Sequence, residues 1–245
     1  MKRVALVTGS AGALGRACAD MLAASDFRVA ASDIRDLPGW AGADRHFVRM
    51  DVTDEVSVRA AFDSAEAALG PIAVLVCCAG GTRATRDRQP SIADTDLSDW
   101  IGTEALNARG TFLCIRDMLR RRRRLPLENG RIILTSSAAA QRPALAAGAA
   151  YCASKAAVLG LARVAAVEAA ALGMTLNVIA PGGFDTDAYH LATDSAQMHR
   201  QISAIPLGRL GRPDEFAATV RFLASVEAGY LTGATIDLNG GARMA

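Results

Sequence analysis

The sequence predicts an α/β fold in which short apolar strands alternate with longer helices around a parallel sheet. Three observations carry that prediction. Brief β-branched runs recur along the chain, each followed by an alanine-rich stretch of helical character, which is the pattern of repeated βα units. The 245 residues are 51% hydrophobic and 21% charged, enough to bury a sizeable core and suited to one domain spanning 1–245. No internal repeat competes with this reading.

Strands are expected near 3–7, 28–32, 46–50, 72–77, 131–135, 175–179 and 234–237, where β-branched and other apolar residues cluster between turn residues. Helices are expected over 14–25, 54–69, 97–122, 150–172 and 213–225. The last opens with Pro213 followed by Asp214 and Glu215, a residue without an N–H and two carboxylates in a first turn. The stretch 183–205 lacks a clean period and lies between Gly182-Gly183 and Pro206, so it reads as a loop or lid over a substrate. In the 150–172 helix, Arg163 and Glu168 are the only charges after Lys155. A helix without a polar face is buried in its own core or against another subunit, which predicts a homo-oligomer, dimer or tetramer.

Charge and cysteine content narrow the class. Lys and Arg number 27 against 25 Asp and Glu, a net +2 that argues against nucleic acid or an anionic membrane as partner. Arg120 to Arg124 form an uninterrupted basic run before Pro126, read as a solvated helix end whose cations complement the helix dipole. An anionic partner or an oligomer contact is the other use for such a run. Five scattered cysteines, with no Cys-x-x-Cys pair and no histidine cluster, fit buried reduced thiols and predict no metal site. The first apolar run stops at Thr8, too short for a secretory core, and no stretch of about 18 apolar residues is expected elsewhere. The expected location is cytoplasmic. His46, His190 and His199 are scattered and none is assigned to catalysis; His190 is the one placed to touch substrate.

Two segments carry chemistry. The first strand runs into Thr8-Gly9-Ser10-Ala11-Gly12-Ala13-Leu14-Gly15 and then a helix, an order that brings backbone N–H groups to a pyrophosphate at a helix N-terminus. Asp33 ends the second strand, 18 residues after Gly15, where a carboxylate can accept from ribose hydroxyls and repel a 2′-phosphate. NAD is therefore expected over NADP, with Arg16 and Arg35 as nearby cations that would favour the latter. Tyr151 and Lys155 stand four residues apart and share one face of a helix. A free phenol has a pKa of about 10, and lowering it by ~3 units takes ~4 kcal/mol. A held ammonium supplies part of that shift.

With these residues in view, the chain resembles the short-chain dehydrogenase/reductase family, of the short single-domain type, along nearly its whole length. Thr8 to Gly15 is similar to that family's Thr-Gly-x-x-x-Gly-x-Gly loop, with Ala13 in place of the middle glycine. Asp51-Val52 resembles its adenine-contacting pair, and Cys77-Cys78-Ala79-Gly80 occupies the place of Asn-Asn-Ala-Gly. Asn107 falls in Asn-Ala-Arg-Gly-Thr-Phe, Ser136-Ser137 follows a strand, and Pro181-Gly182-Gly183-Phe184-Asp185-Thr186 looks like the nicotinamide loop. Gly208-Arg209 through Pro213-Asp214-Glu215 and Asn239-Gly240-Gly241 look like later signatures. The resemblance implies a Rossmann-type, doubly wound, seven-stranded parallel sheet with helices on both faces. It implies catalysis by Ser137, Tyr151, Lys155 and Asn107. Gly9, Ser10, Gly12, Ala13, Leu14, Gly15, Asp33, Asp51, Val52, Ala79, Gly80, Tyr151, Lys155, Pro181, Gly182, Phe184 and Thr186 would hold the cofactor.

The expected reaction moves a hydride between NAD(H) and a secondary alcohol or ketone. Tyr151 takes the alcohol proton, Ser137 holds the oxygen as it becomes a carbonyl, and Lys155 binds the nicotinamide ribose and lowers the Tyr151 pKa. Asn107, a poor helix former with Gly110 just beyond, suggests a locally distorted helix holding a water that links Lys155 to solvent. Ser136 is read as the lesser candidate because neighbouring strand residues face opposite ways. The competing reading is a 3-oxoacyl carrier-protein reductase using NADPH, its acidic carrier docked by the arginine run. A methyltransferase would leave Ser137, Tyr151 and Lys155 unexplained, and a non-catalytic dinucleotide sensor would bind without turnover.

Overall fold

In the computed structural model, which describes residues 2–82, 91–193 and 195–244, all seven strands join one parallel sheet in the order β3-β2-β1-β4-β5-β6-β7. They are β1 (Arg3–Thr8), β2 (Phe27–Asp33), β3 (Arg45–Arg49), β4 (Ile72–Cys77), β5 (Gly130–Thr135), β6 (Met174–Pro181) and β7 (Thr235–Leu238). The helices are α1 (Ala13–Ala23), α2 (Glu55–Leu69), α3 (Leu97–Glu104), α4 (Gly110–Arg124), α5 (Ala149–Ala170), α6 (Asp187–Ala192), α7 (Ser195–Ser203) and α8 (Pro213–Ala224). Every predicted strand is present within about a residue of its predicted bounds.

Because the sheet is covered on both faces, its strands carry apolar residues at successive positions rather than alternate ones. In β1, Val4 and Leu6 join the core beneath α2, α4 and α5, while Ala5 and Val7 join the core beneath α1 and α8. Chain order reverses between β1 and β4, so the connections leaving their carboxyl ends run to opposite faces and leave the crevice where such sheets take ligands.

Local signals explain the helix starts. The Asp54 carboxylate accepts from the N–H groups of Val56 and Ser57 at 3.0 and 3.3 Å, capping α2. Glu215 accepts from the Arg212 N–H at 2.8 Å and from the Arg209 guanidinium, fixing the Pro213 start of α8. Two differences from the sequence reading stand out. The predicted 97–122 helix is broken by a wide, π-type turn over Ala105–Arg109. Between 183 and 205 the chain forms α6 and α7 rather than an open loop, with position 194 outside the described residues.

The arginine run is largely structural, not solvated. Arg121 pairs with Asp117, Asp63 and Glu66 at 2.6, 2.6 and 2.9 Å, and these carboxylates push its pKa further up although burial opposes its charge. Arg122 is buried against Glu66, and burial lowers its pKa. Arg120 reaches Glu55 at 3.9 Å, leaving Arg123 and Arg124 exposed at the helix end. Glu66 also accepts from the Ile72 N–H at 3.1 Å, so one carboxylate joins α2, α4 and the start of β4.

The arrangement predicts that Glu66→Ala destabilises the fold by about 3 kcal/mol or more, since removing one partner strands a buried guanidinium. Urea unfolding checks this; a loss under about 1 kcal/mol, typical of exposed pairs, contradicts it.

Candidate active site

The front of the site is the turn between β1 and α1. Gly9 has φ +69°, a left-handed backbone that glycine adopts without strain, and its N–Cα side lies against Ala79. A Cβ on Gly15 would sit 2.2 Å from the Gly9 carbonyl oxygen, so the helix can start this close only with glycine there. Gly12 caps α1 without a side-chain acceptor, and no acidic residue enters the first turn. The first N–H groups of α1 are thus left to an anion from outside the chain, which is what a pyrophosphate requires. Ala13, the departure from the family loop, is exposed at the helix start and its methyl meets no obstruction from the turn. Leu14 is half-buried against the α1 side of the core, and the Ser10 hydroxyl donates to the Val7 carbonyl at 2.8 Å.

Asp33 is buried at the end of β2. Its carboxylate accepts from the Ala11 N–H at 2.9 Å and the Arg35 N–H at 3.0 Å, tying the end of β2 to the glycine turn. Arg35 lies 3.4 Å from the same carboxylate, and Arg16 is engaged by Asp20 at 2.8 Å. Asp51 accepts from both the N–H and hydroxyl of Thr53, while the Val52 side chain turns into the core against Gly110. The side chains of this pair therefore serve the turn and the core.

At the sheet's centre, Thr8 accepts from the N–H groups of Cys78 and Ala79 at 3.1 and 3.0 Å, joining the ends of β1 and β4. Cys77 neighbours Cys114 and Cys78 neighbours Cys18, while the Thr135 hydroxyl donates to the Cys78 sulfur at 3.7 Å. A Cβ on Gly80 would meet Asn107 Oδ1 at 2.7 Å and Lys155 Nζ at 2.8 Å, so these two groups converge over a glycine. Asn107 is fully buried. Its amide donates to Gly81 O, Thr103 O and Ser154 Oγ, and its Oδ1 accepts from the Gly81 N–H at 3.0 Å. This clasp lies in the wide turn between α3 and α4, where the sequence led us to expect a distorted helix.

The structure brings Ser137, Tyr151 and Lys155 together at the end of β5. Ser137 accepts from the Ala139 N–H at 3.1 Å, and its hydroxyl is close enough to the Tyr151 phenol to pull that phenol's pKa down. Lys155, 4% exposed, donates to the Thr135 carbonyl at 2.9 Å, and its Nζ lies 5.8 Å from the Tyr151 ring centre. The Ser136 hydroxyl donates to the Lys155 carbonyl at 2.7 Å and pins α5 to the strand. Ser154, which the sequence reading passed over, links Asn107 to the Tyr151 carbonyl. A polar residue inside an alanine-rich helix, next to the lysine, was the available signal.

The electrostatics correct one expectation. Burial raises the Tyr151 pKa, and the opposing pull comes from the Ser137 hydroxyl rather than from Lys155. Burial lowers Lys155 itself to about 8, with Cys78 and Cys77 pulling the other way. In the loop that follows β6, the Phe184 ring is buried edge-on against Phe216 at 5.9 Å. In that loop Gly182 passes so close to Asn239 that a Cβ would lie 2.9 Å from it, Pro181 ends β6, and the Thr186 hydroxyl caps α6 by accepting from Tyr189 N–H at 3.2 Å. His190 is paired with Asp185 at 2.6 Å on exposed α6.

This constellation is that of an oxidoreductase. Residues 9–243 match the family model described as "Enoyl-(Acyl carrier protein) reductase". The chain is 38% identical to a D-threitol dehydrogenase of Mycolicibacterium smegmatis, across 98% of this chain and 92% of that protein. It is 32% identical to a 3-oxoacyl-[acyl-carrier-protein] reductase of Salmonella typhimurium, across 99% and 98%. The ligand-free aldohexose dehydrogenase of Thermoplasma acidophilum superposes with a TM-score of 0.85 at 28% identity, covering 98% of this chain and 94% of that one. The chain belongs to the short-chain dehydrogenase/reductase family of NAD(P)-binding oxidoreductases.

Among the described residues one helix, α5, is long and apolar enough to cross a membrane by length and composition, contrary to the expectation of none. One face of it is buried on the sheet through Val158, Ala162 and Ala166, and it carries Lys155 into the crevice.

Lys155 gives the site a pH signature. Its pKa falls from 10.5 unfolded to about 8 folded, so between those values the unfolded chain holds the proton that the folded chain has released. Unfolding takes up a proton there, and stability rises with pH through that window. Relative to Lys155→Met, the dinucleotide-free protein should gain on the order of 2 kcal/mol between about pH 7.5 and 9.5. Urea midpoints at the two pH values measure it, and parallel curves for both proteins contradict it.

Proposed function

We propose that the chain is an NAD-dependent dehydrogenase of secondary alcohols, with Tyr151 as the proton-transferring group and 1–245 acting as one dinucleotide-binding domain. The supporting observation is that the Ser137 hydroxyl, the Tyr151 phenol and the Lys155 ammonium meet at the carboxyl end of β5, beside the glycine turn of β1. When bound, the nicotinamide accepts or donates the hydride. Ser137 and Tyr151 hold one substrate oxygen from two sides. In oxidation Tyr151 accepts the alcohol proton while Ser137 donates to the oxygen as it becomes a carbonyl; in reduction Tyr151 returns the proton and Ser137 still donates to that oxygen.

Lys155 supports this from below. Its ammonium, held by the Thr135 carbonyl, would bind a ribose hydroxyl of the dinucleotide. Asn107 is a positioning residue that holds Gly81, Ser154 and, over Gly80, the lysine in one geometry. Asp33 favours NAD: its carboxylate stands at the end of β2, and its cationic neighbour Arg35 is already drawn to it. All five cysteines are free thiols, in keeping with a cytoplasmic setting.

A second reading, an NADPH-dependent 3-oxoacyl carrier-protein reductase, draws support from the 32% identical relative of that name. It loses its docking argument here, since Arg121 and Arg122 are committed to carboxylates of α2 and α4.

One assay separates these readings. Turnover is followed across secondary alcohols, polyols and 3-oxoacyl thioesters with NAD(H) and NADP(H) in parallel. Wild type should use NAD with an alcohol, and Tyr151→Phe should lose at least about a thousandfold in kcat while dinucleotide affinity changes less than about threefold. Substantial activity of Tyr151→Phe refutes the proton-transfer role, and tighter NADPH binding refutes the role of Asp33.

The homo-oligomer is also proposed, now from geometry. The outer face of α5 exposes Ala153, Ala156, Ala157, Gly160, Val164 and Val167 at helical spacing, a stripe of small apolar side chains that allows close helix approach. Phe112 on α4 and Trp100 on α3 are exposed as well. Sedimentation at micromolar concentration should show a dimer or tetramer, and Gly160→Arg should yield monomers; a wild-type monomer refutes the proposal.

A further inference from the structure

Outside the Ser-Tyr-Lys centre, a cleft of about 600 Å³ opens between the segment that follows Ser137 and the helix α7. Among the described residues its lining contains two arginines, Arg142 and Arg200, one amide, Gln201, and otherwise aliphatic side chains such as Leu145, with no carboxylate. Both arginines are exposed, and among the described residues neither forms an ion pair. The carboxylate nearest in linkage is already committed: Asp237 accepts from Gln141, the neighbour of Arg142, at 3.1 Å, and is paired with Arg243. Two guanidinium groups left facing one cleft, with no acid to neutralise them, make it a place for an anion of the substrate.

Two contacts join the walls of the cleft to the segments that carry the candidate site. Ala144, the neighbour of the lining residues Leu145 and Ala146, is tied to the start of α5, where the Cys152 thiol, next to Tyr151, donates to its carbonyl at 3.7 Å. On the α7 side, Gln201 accepts from the Tyr189 phenol, and the Tyr189 ring lies 3.3 Å from where a Gly183 Cβ would be, in the loop that follows β6. A molecule whose alcohol lies between Ser137 and Tyr151 would extend into this space. The volume suits a small ligand, and the aliphatic lining suits a short carbon chain ending in an oxyanion.

We infer that Arg142 and Arg200 bind an oxyanion, a carboxylate or a phosphate, at the end of the substrate remote from the oxidised carbon. The substrate class is then a hydroxy acid or a phosphorylated polyol rather than a neutral polyol. This deepens the dehydrogenase reading and rests on it for the position of the alcohol, but the anion site itself is testable separately.

The experiment uses wild type, Arg142→Gln, Arg200→Gln, the double variant and the Lys replacements, with two readouts. Calorimetric titration of the NAD-saturated protein with unreactive succinate and with inorganic phosphate measures the anion site and tells a carboxylate site from a phosphate site. Steady-state kinetics compares hydroxy acids and polyol phosphates with their neutral analogues. Each Gln variant should raise KM for anionic substrates roughly tenfold, the double variant roughly a hundredfold, with kcat and the KM of neutral substrates within about twofold and partial rescue by Lys. Anion affinity unchanged in the double variant, or wild-type preference for neutral polyols, overturns the inference while leaving the dehydrogenase reading intact. Arginine-dependent anion binding without hydride transfer to any substrate supports the site and refutes that reading.

Discussion

The active end of this fold depends on one buried ammonium. Lys155 lies almost out of solvent, and a cation in that position survives only if its surroundings supply acceptors. The Thr135 carbonyl at the end of β5 supplies one, and Asn107 Oδ1 approaches over Gly80. Much of the nearby architecture is required by that convergence. Gly80 has no Cβ because Asn107 and Lys155 occupy its space. The turn between α3 and α4 is widened where Asn107 reaches across to Gly81 and Ser154. Ser136 spends its hydroxyl on the Lys155 backbone, so the helix cannot slide along the strand.

A second carboxylate-centred link holds the opposite end of the same layer. Glu66 gathers Arg121, Arg122 and the Ile72 N–H, fixing α2 and α4 relative to the first residue of β4. The far end of β4 is Cys77, which is followed by the glycines under the lysine. The strand therefore runs from a structural ion cluster at its amino end to the reaction centre at its carboxyl end. That polarity follows from the parallel sheet, whose carboxyl ends all open on one side.

Most of the strand and helix pattern was legible because this sheet is buried on both faces, and continuous apolar runs between turn residues have few other uses. The glycine turn and the Tyr151–Lys155 pair were legible for a related reason: a close backbone approach and a four-residue spacing are local properties. What the sequence hid was long-range. The arginine run looked like a solvated helix end because its partners, Asp63 and Glu66, lie on another helix. Nor does its place in a loop show that the Phe184 ring packs on Phe216 in the core. The direction of the Tyr151 pKa shift likewise depends on burial, which spacing does not encode.

The α5 helix shows how these constraints combine. Its composition suggested burial on all sides, yet only the face bearing Ser154, Lys155, Val158 and Ala162 is enclosed. The opposite face has small apolar residues where a lone protein would gain from charge, while Gly160 has nothing within 4 Å of its missing side chain. A helix that must hold a buried lysine against a strand tolerates little rotation, since one residue of slippage would carry Lys155 away from Thr135 and Tyr151 away from Ser137. Packing a second subunit on the outer stripe would resist that rotation from the other side. In the proposed assembly the same helix would link subunit packing to the geometry of the site, with Ser154 and Lys155 on one face and the stripe of small apolar residues on the other.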